Sequence, residues 1–237
     1  MTSVSQPRAD APAPRRPYWL IAAIGAVIVL AALAAFLVSR RGNDAEETAT
    51  AVPGGVLQGE AAAPGAAETA PVRVEGTALR LYPDSGPDTA IGQRAPSVSG
   101  TNLLTGQTLQ IPADGRPKLI VFLAHWCPHC QREAPVIQRW LDAGRKPAGV
   151  DLYAVSTGVR PESGNYPPSQ WLSRLGWSVP TLADQAAPSS AGVAAQAFGL
   201  SGFPYFVAVD AAGNVAARRT GELGAQQLEA LVGALAR

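Results

Sequence analysis

The sequence is poor in the residues that most often carry chemistry. Among 237 residues there are two cysteines, two histidines and one methionine. A disulfide-rich scaffold and a multi-cysteine zinc module are therefore excluded. Lysine is nearly missing as well: Lys118 and Lys146 are the only two, and every other basic residue is arginine. Charged residues make up 16%, below the usual quarter, and the net charge is +1. No cluster of basic residues stands out, so a nucleic-acid partner is not expected. Long apolar runs are also lacking, with one exception near the N-terminus. What is present is concentrated: His125, Cys127, His129 and Cys130 all fall within one short stretch.

The chain reads as three regions. Residues 1–17 form a polar, proline-rich tail carrying Arg8, Arg15 and Arg16. Residues 18–38, from Tyr18 to Val38, contain no charge and end sharply at Ser39-Arg40-Arg41. As a helix this run spans roughly 31 Å, close to the hydrocarbon thickness of a bilayer. It is longer than the apolar core of a typical signal peptide, although Ala32-Leu33-Ala34 offers a small-residue cleavage site. Tyr18 and Trp19 suit an interfacial position. The arginine excess before the run favours a cytoplasmic N-terminus with the remaining chain outside the cytoplasm. The expectation is a single-pass anchor in the cell membrane. Residues 39–78 are dominated by Ala, Gly, Pro, Glu and Thr and read as a flexible, disordered linker. Its stretch 42–77, as a coil of about 36 residues, reaches roughly 30–36 Å end to end. Residues 79–237 have globular composition and length enough for one domain.

Within that domain, Leu119 to Ala124 is a continuous apolar run, suiting a central strand covered on both faces. A helix follows from Pro128 to Ala143. Pro128 is tolerated in its first turn, and Pro135 is expected to kink it. Val150 to Ser156 is a second buried strand. Helices are expected over 167–176 and 189–199, with a short strand at Thr181–Leu182 between them. Tyr205 to Val209 and Val215 to Thr220 form an antiparallel pair across an Asp210–Asn214 turn, and a helix closes the chain over 224–236. This order predicts an α/β fold with a mixed central sheet flanked by helices.

The chemistry lies where the first buried strand passes into its helix, at His125-Trp126-Cys127-Pro128-His129-Cys130. A helix N-terminus presents unsatisfied N–H groups and partial positive charge, which favour a thiolate at Cys127. Cys130, one turn further on, is more buried and can act as the resolving thiol. His129, between them, can supply positive charge and a donor. The pattern points to a redox-active Cys127–Cys130 disulfide with no metal and no other cofactor. Zinc or copper ligation and a purely structural disulfide are the alternatives. A zinc site built from these four residues has awkward geometry, and so short a disulfide loop adds little stability. Haem attachment requires a histidine directly after the second cysteine, where Gln131 stands.

From about Ile91 to Arg237 the sequence resembles the thioredoxin-like superfamily, and within it the membrane-anchored TlpA/ResA-type thiol–disulfide oxidoreductases. The resemblance rests on Trp126-Cys127-x-x-Cys130, on Glu133 with Pro135, on Gly199-x-x-Gly202-Phe203-Pro204 before a strand, and on the Asp210…Gly213…Gly221 hairpin. It implies a cis peptide before Pro204, packed beside the disulfide. It implies that Trp126, Phe203 and Pro204 contact the substrate, and that Glu133 assists deprotonation of Cys130. Implied partners are exported proteins bearing thiols or disulfides, apocytochromes in cytochrome maturation among them, together with a membrane redox partner. Two features depart from the family. His129 replaces the usual proline, giving the Cys-Pro-His-Cys motif of DsbA-type oxidases, although their long helical insertion is missing between Ser156 and Phe203. Val121 stands where thioredoxin has a buried aspartate. Family and dipeptide therefore point in opposite redox directions. Two other functions share the fold. A peroxiredoxin-like thiol peroxidase would need a Pro-x-x-x-Thr-x-x-Cys motif, and Ala124 occupies its threonine position. A copper-delivery protein would need a longer cysteine spacing and a distant histidine. His125 reads as either a site-lining residue or a partly exposed strand end, and residues 160–170 as a polar loop.

Overall fold

The computed structural model describes residues 67–188 and 191–236. The tail, the expected anchor at 18–38 and the linker up to residue 66 lie outside the described residues. Among the described residues no helix is long and apolar enough to cross a membrane.

A five-stranded mixed sheet organises the domain, in the order β6-β5-β4-β7-β8. Strands β4 (Lys118–Leu123), β5 (Asp151–Ser156) and β6 (Thr181–Ala183) run parallel, while β7 (Tyr205–Val209) pairs antiparallel with both β4 and β8 (Val215–Thr220). The central position of β4 follows from its sequence, since all six of its residues are buried. Alternate side chains go to opposite faces. Leu119, Val121 and Leu123 join Ile137 and Trp140 of α1 (Pro128–Asp142) and Leu228 and Val232 of α4 (Gly224–Leu235). Ile120 and Phe122 face the other way, toward Ala194, Ala195 and Phe198 in and after α3 (Val193–Ala197). Pro135 lies inside α1, and the helix continues past it to Asp142. A short helix, α2 (Pro168–Arg174), completes the set.

Two features depart from the sequence expectations. The domain begins before residue 79: residues 67–78 pack on it instead of ending the linker. Arg73–Glu75 is a strand, β1, paired antiparallel with β2 (Ser97–Thr101), which pairs with β3 (Thr108–Ile111). Ala70 is buried, the Val72 N–H donates to Gln185 Oε1, and Glu68 accepts from the N–H and hydroxyl of Ser169 at the start of α2. A Cβ at Gly100 would come within 3.0 Å of Pro71 O, so glycine there admits the incoming segment. The second departure is this whole three-stranded sheet. Its strands are only three to five residues long, so what alternation they carry, as in Thr-Leu-Gln-Ile of β3, is too short to mark a strand in sequence.

The loop 79–95 is fastened to the sheet by Arg218 of β8. That side chain is fully buried, pairs with Asp88, and donates to Arg80 O and Phe198 O at 2.8 and 3.3 Å.

Candidate active site

Cys127 is the N-cap of α1, with Pro128 at the first helical position. Its N–H donates to Ala124 O at 3.0 Å, and its carbonyl accepts from Gln131, closing the first turn. The Cys127 side chain therefore stands at the end of the helix where backbone N–H groups are unsatisfied. Both thiols are free in this structure, and their environments differ. Cys127 is 6% exposed and Cys130 0%. Burial pushes the Cys130 thiol well above its ordinary range. The Ala124 N–H, which donates to its Sγ at 3.4 Å, opposes that rise, while Cys127 and Glu133 add to it more weakly. Cys127 thus keeps a small exposed edge and Cys130 none.

The loop before β7 closes over the nucleophile. The Phe203–Pro204 peptide is cis, and Phe203 O lies 4.0 Å from Cys127 Sγ. The Phe203 ring meets Trp126 edge-on at 5.7 Å. The three residues expected to face the substrate, Trp126, Phe203 and Pro204, are therefore gathered around Cys127.

Glu133 is 1% exposed, one turn beyond Cys130. It is not a solvated helix carboxylate. Desolvation raises its pKa above the ordinary 4.5, against weaker stabilisation from the Gly224 and Leu223 N–H groups. Gly224 N–H reaches Oε2 at 3.4 Å, and Oε1 is buried without a hydrogen-bond partner among the described residues. A buried carboxyl with one free oxygen is equipped to take up a proton.

His129 is placed differently from its expected role. Its imidazole turns to the segment after β8, where Nδ1 lies 2.6 Å from Glu222 Oε1 and 2.8 Å from Arg132 Nη2. That nitrogen donates to the first when protonated or accepts from the second when not. No hydrogen bond joins His129 to either thiol among the described residues. Arg132 itself grips Glu222 through Nε and Nη2 and holds its carboxyl below the usual range.

Of the two readings of His125, site-lining residue or partly exposed strand end, the structure favours the first, and its placement explains a neighbouring loop. It is buried, not a partly exposed strand end. Arg160 N–H donates to its Nε2 at 3.0 Å, so that nitrogen is unprotonated, and Nδ1–H donates to Gly164 O at 2.8 Å. With both ring nitrogens engaged, His125 is no third ligand beside the thiols. Trp126 Nε1 donates to Gly158 O at 2.7 Å. Together the two side chains strap residues 158–165 along the edge of the site. Gly158 has φ 61°, a left-handed conformation that suits glycine. The polar loop visible in the sequence is therefore part of the site's rim. Its proline, glycine and asparagine content signals a loop, but nothing in that content signals where the loop docks. Among the described residues no group of three or more His, Cys, Asp or Glu side chains is arranged to hold a metal.

A model of the Redoxin family matches residues 90–232. A curated relative, the Thiol:disulfide interchange protein DsbE homolog of Paracoccus denitrificans (strain Pd 1222), is 40% identical over 79 residues. That match covers 31% of this chain and 42% of the relative, so it spans less than half the relative's length. Among solved structures, a DsbF homologue from Corynebacterium diphtheriae shares the fold with a TM-score of 0.51 and 20% identity, over 68% of this chain and all of the other. A thioredoxin-family thiol:disulfide interchange protein from Chlorobium tepidum TLS aligns with a TM-score of 0.48 and 21% identity, over 65% of this chain and 99% of that one.

Proposed function

The chain belongs to the Redoxin family, with a thioredoxin-like α/β fold and mixed sheet, and from that premise we propose that it is a protein thiol–disulfide oxidoreductase working through Cys127 and Cys130. The observation that carries this reading is the asymmetry of the two sulfurs. Cys127 sits at a helix N-cap beside the cis-Pro204 loop, and Cys130 is sealed one turn behind it.

In the reducing direction the Cys127 thiolate attacks a client disulfide and forms a mixed disulfide, and one client sulfur leaves as a thiol after taking a proton. Cys130 then loses its proton and attacks Cys127 Sγ. The enzyme disulfide forms and the second client sulfur leaves. Two electrons and two protons pass to the client, and the oxidising direction is the same sequence reversed. Glu133 is the acceptor and donor of the Cys130 proton. Trp126, Phe203 and Pro204 hold the client chain against Cys127.

The setting belongs to the same proposal. Residues 18–38 anchor the chain by a single transmembrane helix, and 39–66 tether the domain outside the cytoplasm. Clients are exported proteins with thiols or disulfides, and a membrane redox partner restores the working state. The charge-free 21-residue run, with arginines on both sides, supports this reading.

The test is Cys127→Ser in the full chain, assayed by insulin reduction and by oxidative refolding of a reduced substrate. Loss of both activities is expected. Activity within a few fold of the parent protein would refute the assignment.

A further inference from the structure

Two arginines face the nucleophile's surroundings, and their situations differ. Arg132 is neutralised by Glu222, as described above. Arg160 is not. Its backbone N–H is fixed by His125 Nε2, and the neighbouring Gly158 carbonyl is fixed by the Trp126 indole. These anchors lay the Arg160 side chain back over Trp126, with the guanidinium carbon 3.8 Å from the ring centroid. Among the described residues no carboxylate lies within ion-pair distance of it, and no hydrogen bond uses its guanidinium donors. The residue is half-buried. A guanidinium stacked on an aromatic face loses water from one side but keeps its N–H edge open. That edge matches a carboxylate in bidentate geometry. The same indole meets the Phe203 ring, whose residue carbonyl lies beside Cys127 Sγ. Guanidinium, indole and Phe203 are thus in successive contact, and the series ends at the Phe203 carbonyl beside the sulfur.

We propose that Arg160 is a specificity-determining residue that selects clients carrying an aspartate or glutamate close to the reactive cysteine. This rests on the oxidoreductase reading above and adds the chemistry by which that site chooses among clients. Because the strap is held through backbone atoms, the side chain of Arg160 contributes charge and stacking and is not needed to position the loop.

The test uses the full chain in detergent, pre-reduced, and two peptide disulfides that differ only in a glutamate or a lysine beside the cysteine. The second-order rate constant for mixed-disulfide formation is read for each peptide. At about 20 mM salt the parent protein is expected to favour the glutamate peptide about two- to fivefold, as a partly exposed ion pair allows. The preference should shrink at 0.5 M salt. Arg160→Gln should bring the ratio close to one, and Arg160→Lys should keep a preference of the same sign. The Cys127–Cys130 reduction potential should be the same in all three proteins. A ratio unchanged in Arg160→Gln, an equal slowing of both peptides, or a potential that moves with the substitution would overturn the proposal. If the parent protein reacted with neither peptide, the oxidoreductase reading itself would fall, and the specificity role with it.

Discussion

Replacing Glu133 by glutamine changes one atom and removes one charge, and the two consequences oppose each other. The Glu133 carboxylate disfavours a thiolate at Cys130, so its loss makes the thiolate slightly easier to form. The same substitution removes the only buried carboxyl beside Cys130 among the described residues, and with it the proposed acceptor for the proton that must leave before Cys130 attacks the mixed disulfide. The magnitudes decide the sign. Among the influences on Cys130, burial dominates and the Glu133 charge is the weakest. A positioned general base contributes about 10²- to 10⁴-fold. No hydrogen bond joins Glu133 to Cys130 among the described residues, so the two groups are not in direct transfer contact and the lower end of that range applies. Glu133→Gln should therefore slow resolution of the mixed disulfide about 100-fold at pH 7, or about 2.7 kcal/mol in barrier. Formation at Cys127 should change little. The assay mixes reduced protein with excess peptide disulfide, quenches in acid at millisecond intervals, and counts the mixed disulfide by mass spectrometry. In the parent protein the resolution rate should rise with pH as Glu133 ionises, at a pH above the ordinary carboxyl value of 4.5, because desolvation raises its pKa. The variant should lack that limb. Resolution at the parental rate, with the same pH profile, would refute a proton-transfer role.

Two further predictions concern the scaffold. Asp88→Asn removes the ion-pair partner of Arg218, a fully buried guanidinium, and should cost about 3 kcal/mol in urea unfolding. The hydrogen bond from Arg218 depresses the Asp88 pKa below 3.8, so this stabilisation is present above pH 3.8 and is lost as pH falls through the lower, folded value. The two proteins should then converge in stability under acid, and a gap persisting there would contradict the assignment. His125→Phe strands the Arg160 N–H and the Gly164 carbonyl, and should cost about 2 kcal/mol. Amide exchange at Arg160 should become fast, and an amide still protected would show that His125 does not hold the strap.

The five-stranded sheet was legible because β4, β5, β6 and β7 are largely apolar and buried, while β8 is marked by the Asp210–Asn214 turn before it. Leu119–Leu123 and Tyr205–Val209 could hardly be anything else, and the Cys127 helix follows directly. The small sheet of β1, β2 and β3 was not legible. Ser97–Thr101 is Ser-Val-Ser-Gly-Thr, whose only buried side chain is Val98, and three-residue Arg73–Glu75 has no period to detect. These strands owe their place to backbone pairing and to one another, which local sequence does not encode. In the site, His129 follows from its place between the cysteines, whereas Trp126, Glu133, Phe203 and Pro204 follow from the family resemblance. The direction of His129 could not be read from either, because Glu222 and Arg132, which turn it aside, are set by the packing of the β8–α4 connection on α1. Nor could the burial of His125, whose partners lie more than thirty residues away along the chain.

The strap along the rim is gripped at Gly158 O, Arg160 N and Gly164 O, all main-chain atoms. Its side chains between residues 159 and 163 are consequently free of the duty of keeping it in place. Anchor and reading head are separate parts, so substitutions in Val159–Ser163 can redirect the protein toward other clients without refolding the domain or disturbing the sulfur chemistry beside it. A library confined to those five positions would sample recognition alone, which makes this short segment a natural cassette for redesign.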